Sequence, residues 1–134
     1  MPKRVLICGG RNFTDYQFLS ETLLRELAPW LPDVEIIQGA ARGADMLAAK
    51  FAWHHCSVKS RFFPILDAEW EQLGKGAGHN RNARMLAQSG ADLVIAFPGQ
   101  GGTADMCAIA GKAGVEVRRI EMPDALAQMK EIAA

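Results

Sequence analysis

The sequence predicts an α/β fold: one Rossmann-like, doubly wound parallel sheet of about five strands, ordered 3-2-1-4-5, with helices on both faces. Two observations carry that expectation. Short apolar runs such as Val5 to Cys8 and Leu93 to Phe97 alternate with helical patterns along the chain. The segments between the runs are long enough for crossover helices, which implies parallel pairing. The 134 residues fit one domain, 1–134, and a hydrophobic share of 49% is enough for a core.

Each element has a local reason. Val5 to Cys8 forms strand one and ends at Gly9-Gly10. Tyr16 to Ala28 forms helix one, with Leu19, Leu23 and Leu27 on one stripe, Thr14 or Asp15 as cap, and Pro29 and Pro32 as the stop. Val34 to Gln38 is strand two, Gly43 to Cys56 feeds helix two, and Val58 to Phe63 is strand three, ended by Pro64. Residues 64 to 79 break the alternation and read as a long connection holding one short helical piece at most. Asn80 to Gln88 is helix three with Gly90 beyond it, Leu93 to Phe97 is strand four, and Thr103 to Ala113 is helix four with Gly114 as C-cap. Val115 to Ile120 is strand five, and a closing helix runs from Asp124.

In this strand order the loops "GGRNFTD" and "PGQGGT" flank the switch point, where α/β sheets bind ligands at their carboxyl ends. "GAARGAD" lies beside them and echoes "GQGGTAD" sixty residues on. Glycine-rich turns that lead into helix N-termini suit phosphate, through backbone N–H groups and the helix dipole. The ligand-binding set is therefore Gly9, Gly10, Arg11, Asp15, Gly39, Arg42, Gly43, Asp45, Arg81, Gly99, Gly101, Gly102 and Thr103. Arginine contributes a planar fork for phosphate, and Arg84 lies near the same loop ends. Asp15, Asp45 and Asp105 fall near helix starts, where capping or a ribose hydroxyl would use them. Trp70, in the long connection, is a candidate for base stacking.

Composition narrows the chemistry. Fifteen basic and fifteen acidic residues cancel, so nucleic acid is not an expected partner. No GxxxxGK[ST] and no GxGxxG after strand one occur, which argues against a P-loop ATPase and an ordinary dinucleotide fold. Cys8, Cys56 and Cys107 read as small buried hydrophobes, and with His54, His55 and His79 they form no zinc spacing. No metal and no resident cofactor are expected. The N-terminus has no signal-peptide pattern, and no apolar run reaches the roughly 18 residues of a membrane span, so a cytoplasmic protein without membrane contact is expected. An apolar helix four, with Met106, Cys107, Ile109 and Ala110, leaves a homodimer open.

"GGRNFTD", "GAARGADMLA", "WEQLGKGAGHNRNARML" and "PGQGGTADM" together resemble the YspA-type (YpsA-related) branch of the SLOG superfamily, from Gly9 to about Gly114. The resemblance implies a Rossmann-like fold and a sensor pocket for a nucleotide or nucleotide-derived ligand. The related LOG phosphoribohydrolases carry PGGxGTxxE with RKxxM upstream. Here Arg81 and Met85 match, Asn82 replaces the lysine, and Pro98, Gly99, Gly102 and Thr103 are kept. The resemblance adds Asn82 and Met85 to the ligand-binding set. Met106 stands where the catalytic glutamate belongs and cannot transfer a proton. The leading expectation is a ligand-binding domain. The alternatives are a nucleotide N-glycosidase using Asp45, Asp105 or Glu69, and a nucleic-acid module of the DprA type.

Overall fold

The computed structural model describes residues 1–55 and 57–122. Its elements follow one another as β1 (Lys3–Cys8), α1 (Tyr16–Glu26), β2 (Val34–Gln38), α2 (Ala44–His54), β3 (Lys59–Phe62), α3 (Asp67–Leu73), a 3₁₀ turn (Gly74–Gly76), α4 (Ala77–Ser89), β4 (Leu93–Ala96), α5 (Gly101–Lys112) and β5 (Glu116–Arg119). The five strands form one sheet in the order β3-β2-β1-β4-β5, and every pairing is parallel.

The period of two along the central strands splits the core into two layers. Val5 stands level with Ile36 and Leu93. These three pack with Leu19 and Leu23 of α1 and Phe51 of α2. Leu6 stands level with Ile37 and Val94 and packs with Met85 of α4 and Met106 of α5. Strands apolar on both sides must be covered on both sides, which is why β1, β2 and β4 sit centrally. The edge strands β3 and β5 carry Lys59, Arg61, Arg118 and Arg119 and are only partly buried. Charges there discourage further strand pairing.

Three local expectations change. The connection 64–79 is helical through most of its length, as α3, the 3₁₀ turn and the first turn of α4. Its helix start is hidden because Leu66, an apolar residue, occupies the N-cap, while Glu69 at the third helical position accepts the Leu66 N–H at 2.8 Å. Helix α5 begins at Gly101, inside the glycine run. Met106, Cys107 and Ala110 pack into the core under α5, so they are not a free face for a second copy. Cys8 and Cys107 are buried as expected. Cys56 and the closing helix from Asp124 lie outside the described residues. Among those described, no helix is long and apolar enough to cross a membrane.

Candidate functional site

Neighbouring β1 and β4 send their chains in opposite directions at the carboxyl edge, which opens a crevice. Three loops meet there around Gly10. Its N–H donates to the Pro98 carbonyl at 2.8 Å, and its carbonyl accepts from the Phe13 and Ala44 N–H groups, each at 3.2 Å. A Cβ on Gly10 would stand 2.9 Å from the Pro98 oxygen. Gly43 has φ +89°, and a Cβ there would meet Arg11 Cα at 2.7 Å. These glycines let backbone pack on backbone. The N–H of Gly10 is spent inside the protein and is not offered to a ligand. Gly9 and Gly99 sit in the same close contacts, against Ala44 and against Gly10.

The crevice widens into a cavity of about 1300 Å³. Of the residues singled out from sequence, Gly9, Gly10, Arg11, Asp45, Arg81, Asn82, Met85, Gly99, Gly101, Gly102, Thr103 and Asp105 line it. Five others do not. Asp15 caps α1, accepting the Phe18 N–H at 3.0 Å. Arg42 is exposed to solvent, away from the cavity wall. Gly39 and Gly43 do not line the cavity. Trp70 is 50% exposed on α3 and does not reach the cavity, so the long connection, once folded into helix, turns its indole elsewhere.

Asp45 and Arg81 both line the cavity, each held by hydrogen bonds to the surrounding backbone and side chains. Asp45 is 6% exposed and accepts from the Gly39 N–H at 3.1 Å and the Ala41 N–H at 3.2 Å. Burial pushes its carboxyl up to about 6, against the pull of the Ala41 and Gly39 N–H groups and of Arg81 and Arg11. Arg81 Nη1 donates to the Gly39 and Phe63 carbonyls, and its Nε donates to Asn82 Oδ1 at 3.1 Å. A Cβ on Gly39 would press on this guanidinium. Arg81 therefore frames the cavity as well as facing it. Arg84 is committed elsewhere, to the Pro64 carbonyl and Glu69, both at 2.8 Å. Glu69 also accepts from Leu66 N and Asn80 Nδ2, and these donors hold its carboxyl down at about 2. It is a strut between α3 and α4 and does not line the cavity.

The first turn of α5, which also lines the cavity, has no side-chain cap at Gln100. The space where a Cβ on Gly101 or Gly102 would stand is open. Arg11 and Lys75 also line the cavity and bring positive charge. Buried Asn82 donates through Nδ2 to the Gly102 carbonyl at 3.1 Å and to Asp105 Oδ2 at 3.0 Å. Asp105 Oδ1 lies 2.6 Å from His79 Nδ1. His79 lines the cavity. From sequence His79 is weighed only as a zinc ligand; in the structure it shares α4 with Asn82, and residues i and i+3 lie on one helix face. Met106 is fully buried beneath α5, out of the cavity. Among the described residues, no group of three or more His, Cys, Asp or Glu could hold a metal ion.

Among solved structures, DNA processing protein A from Helicobacter pylori is similar in fold. The TM-score is 0.62 at 22% identity, over 91% of this chain and 66% of that one. That structure is described for its single-stranded DNA binding mode. The expectation that nucleic acid is not a partner is thereby overturned. The same fold serves a protein that binds single-stranded DNA, and zero net charge does not describe the local charge at one sheet edge. The Gene 61 protein of Mycobacterium phage D29 is 38% identical over 118 residues, covering 86% of this chain and 94% of the relative. Residues 3–71 match the family model described as YspA, cpYpsA-related SLOG family. Family and fold together support a nucleotide- or nucleic-acid-binding module, and the chain belongs to the YspA, cpYpsA-related SLOG family.

Proposed function

We propose that the cavity at the carboxyl edge binds a phosphate-bearing nucleotide or nucleotide-derived ligand. The observation that carries the reading is the open first turn of α5. Gly101, Gly102 and Thr103 line a cavity that Arg11 and Arg81 also line. In this reading a phosphate accepts from the α5 N–H groups and pairs with Arg11, whose side chain has no framing role comparable to that of Arg81. Asp45, an acceptor that lines the cavity, faces a ribose hydroxyl. The ligand is a sensed molecule.

A second reading is favoured by the fold shared with the single-stranded DNA-binding protein. Here the same cradle takes one phosphate of a strand. Calorimetry with a panel of mononucleotides, and anisotropy with labelled oligothymidylate at several salt concentrations, separate the two. The first reading expects saturable mononucleotide binding, weakened about tenfold or more by Arg11→Ala. Oligonucleotide binding with a steep salt slope, not displaced by mononucleotides, supports the second. Binding of neither class overturns both.

A further inference from the structure

The cavity holds an arrangement that neither binding reading uses. His79 Nδ1 lies 2.6 Å from Asp105 Oδ1, and Asp105 Oδ2 accepts from Asn82 Nδ2 at 3.0 Å. A carboxylate accepts only, so Nδ1 carries the hydrogen and Nε2 is the nitrogen left free. The His79 side chain is 64% exposed, yet the residue is part of the cavity wall. Its partner is 26% exposed and is fixed from behind by a buried asparagine. An imidazole with one nitrogen held by a carboxylate, on a residue that lines a ligand cavity, is the arrangement general acid–base catalysis uses.

Position selects the bond. Asn82 Nδ2 also donates to the Gly102 carbonyl at 3.1 Å, which ties the dyad to the first turn of α5. Asp105 follows Gly102 by three residues, on the same helix face. The dyad thus lies beside the first turn of α5, the phosphate end of the proposed ligand.

We infer that the site hydrolyses a phosphodiester of a nucleotide, with His79 as the catalytic acid–base residue and Asp105 and Asn82 as positioning residues. This inference rests on the nucleotide-binding reading. In the step, a water oxygen bonds to phosphorus and the bond from phosphorus to the leaving oxygen breaks. Acting as the imidazolium, with Nδ1–H held by Asp105, His79 gives its Nε2 proton to that oxygen; one proton of the attacking water then passes to Nε2 and restores the imidazolium, and the other stays on the phosphate product. Arg11 and the α5 N–H groups stabilise the charge on the equatorial oxygens.

Two probes test this: the methyl ester and the p-nitrophenyl ester of thymidine 5′-monophosphate. Nitrophenolate leaves readily without a proton, whereas methoxide does not. The full chain should release thymidine monophosphate from both. His79→Ala should lower kcat on the methyl ester about 100-fold or more and on the p-nitrophenyl ester by much less. Binding by calorimetry should change little. Asp105→Asn should shift the pH profile on the methyl ester and leave binding intact. Equal losses on both esters mean a structural role and overturn the assignment. A parent that binds the methyl ester without releasing product overturns the activity alone. A parent that binds neither ester, nor any mononucleotide of the panel, overturns the binding reading beneath it.

Discussion

The Asp45 carboxyl shows how a residue with a structural bond becomes a chemical one. It accepts two backbone N–H groups, which would ordinarily favour the ionised form, yet burial outweighs them and its pKa rises to about 6. The folded state therefore holds the proton more tightly than the unfolded chain does. The stability this contributes is complete below the ordinary value of 3.8 and is lost as pH rises through about 6. Asp45→Asn should remove that decline, because an amide oxygen still accepts the Gly39 N–H and carries no charge to desolvate. Urea unfolding at about pH 4.5 and pH 7 checks it: the parent loses stability between the two and the variant does not. Met106 makes the opposite point. It occupies the glutamate position of the LOG hallmark, but its side chain is wholly inside the core. Met106→Glu should therefore fail to restore a catalytic acid and should cost on the order of 4 kcal/mol. A urea midpoint equal to that of the parent would show that position 106 faces the cavity.

At the scale of elements, the segment 64–79 is where local reading and structure part most clearly. Its helix start has no Ser, Thr, Asp or Asn cap, and glycines at 74, 76 and 78 suggest a loop. Glu69 supplies the order that local propensity lacks, joining Leu66, Asn80 and Arg84 through hydrogen bonds. Its carboxyl is held at about 2, below the ordinary 4.5. The stability it contributes is present above about 4.5 and is lost as pH falls toward 2. Glu69→Gln should lower Tm at pH 7, and the gap to the parent should close on acidification. The echo between "GAARGAD" and "GQGGTAD" also changes meaning at this scale. Helix α2 starts at Ala44, the equivalent of Ala104, whereas α5 starts three residues earlier at Gly101. Asp45 is thus the second residue of its helix and Asp105 the fifth. One accepts loop N–H groups and the other holds His79. A shared sequence does not make a shared role when the helix register differs.

For the whole molecule, the site is a property of loop convergence. Gly10 connects the loop after β1 to the loop after β4 and to the start of α2. Gly43 sits with φ +89° against Gly10 and Arg11. Gly43→Ala adds an L side chain at a conformation such residues avoid, and adds it against backbone that has no room to yield. It should cost about 2 kcal/mol or more in unfolding. It should also weaken nucleotide binding by displacing Arg11, as calorimetry would measure. Unchanged stability would mean that the loops are not packed as tightly as these contacts indicate. Exposed Trp53, Phe62 and Trp70 lie away from this junction.

By itself the sequence determined the layer architecture and the strand order. Central strands such as "VLIC" and "LVIA" are apolar at every position, and such strands are stable only when covered on both faces. It also determined which loops meet, because strand order and parallel pairing leave one switch point. Most of the residues singled out in those loops line the cavity for that reason. Tertiary structure decided the directions of side chains. It turned Trp70 and Arg42 away, spent Asp15 on a helix cap and Arg84 on a strut, and made Arg81 part of the frame. It also brought His79 to Asp105 across 26 residues of sequence. Periodicity along a chain fixes which face of an element is apolar. The partner of a polar side chain depends on how two elements are phased against each other, and that phase is set only when the core packs.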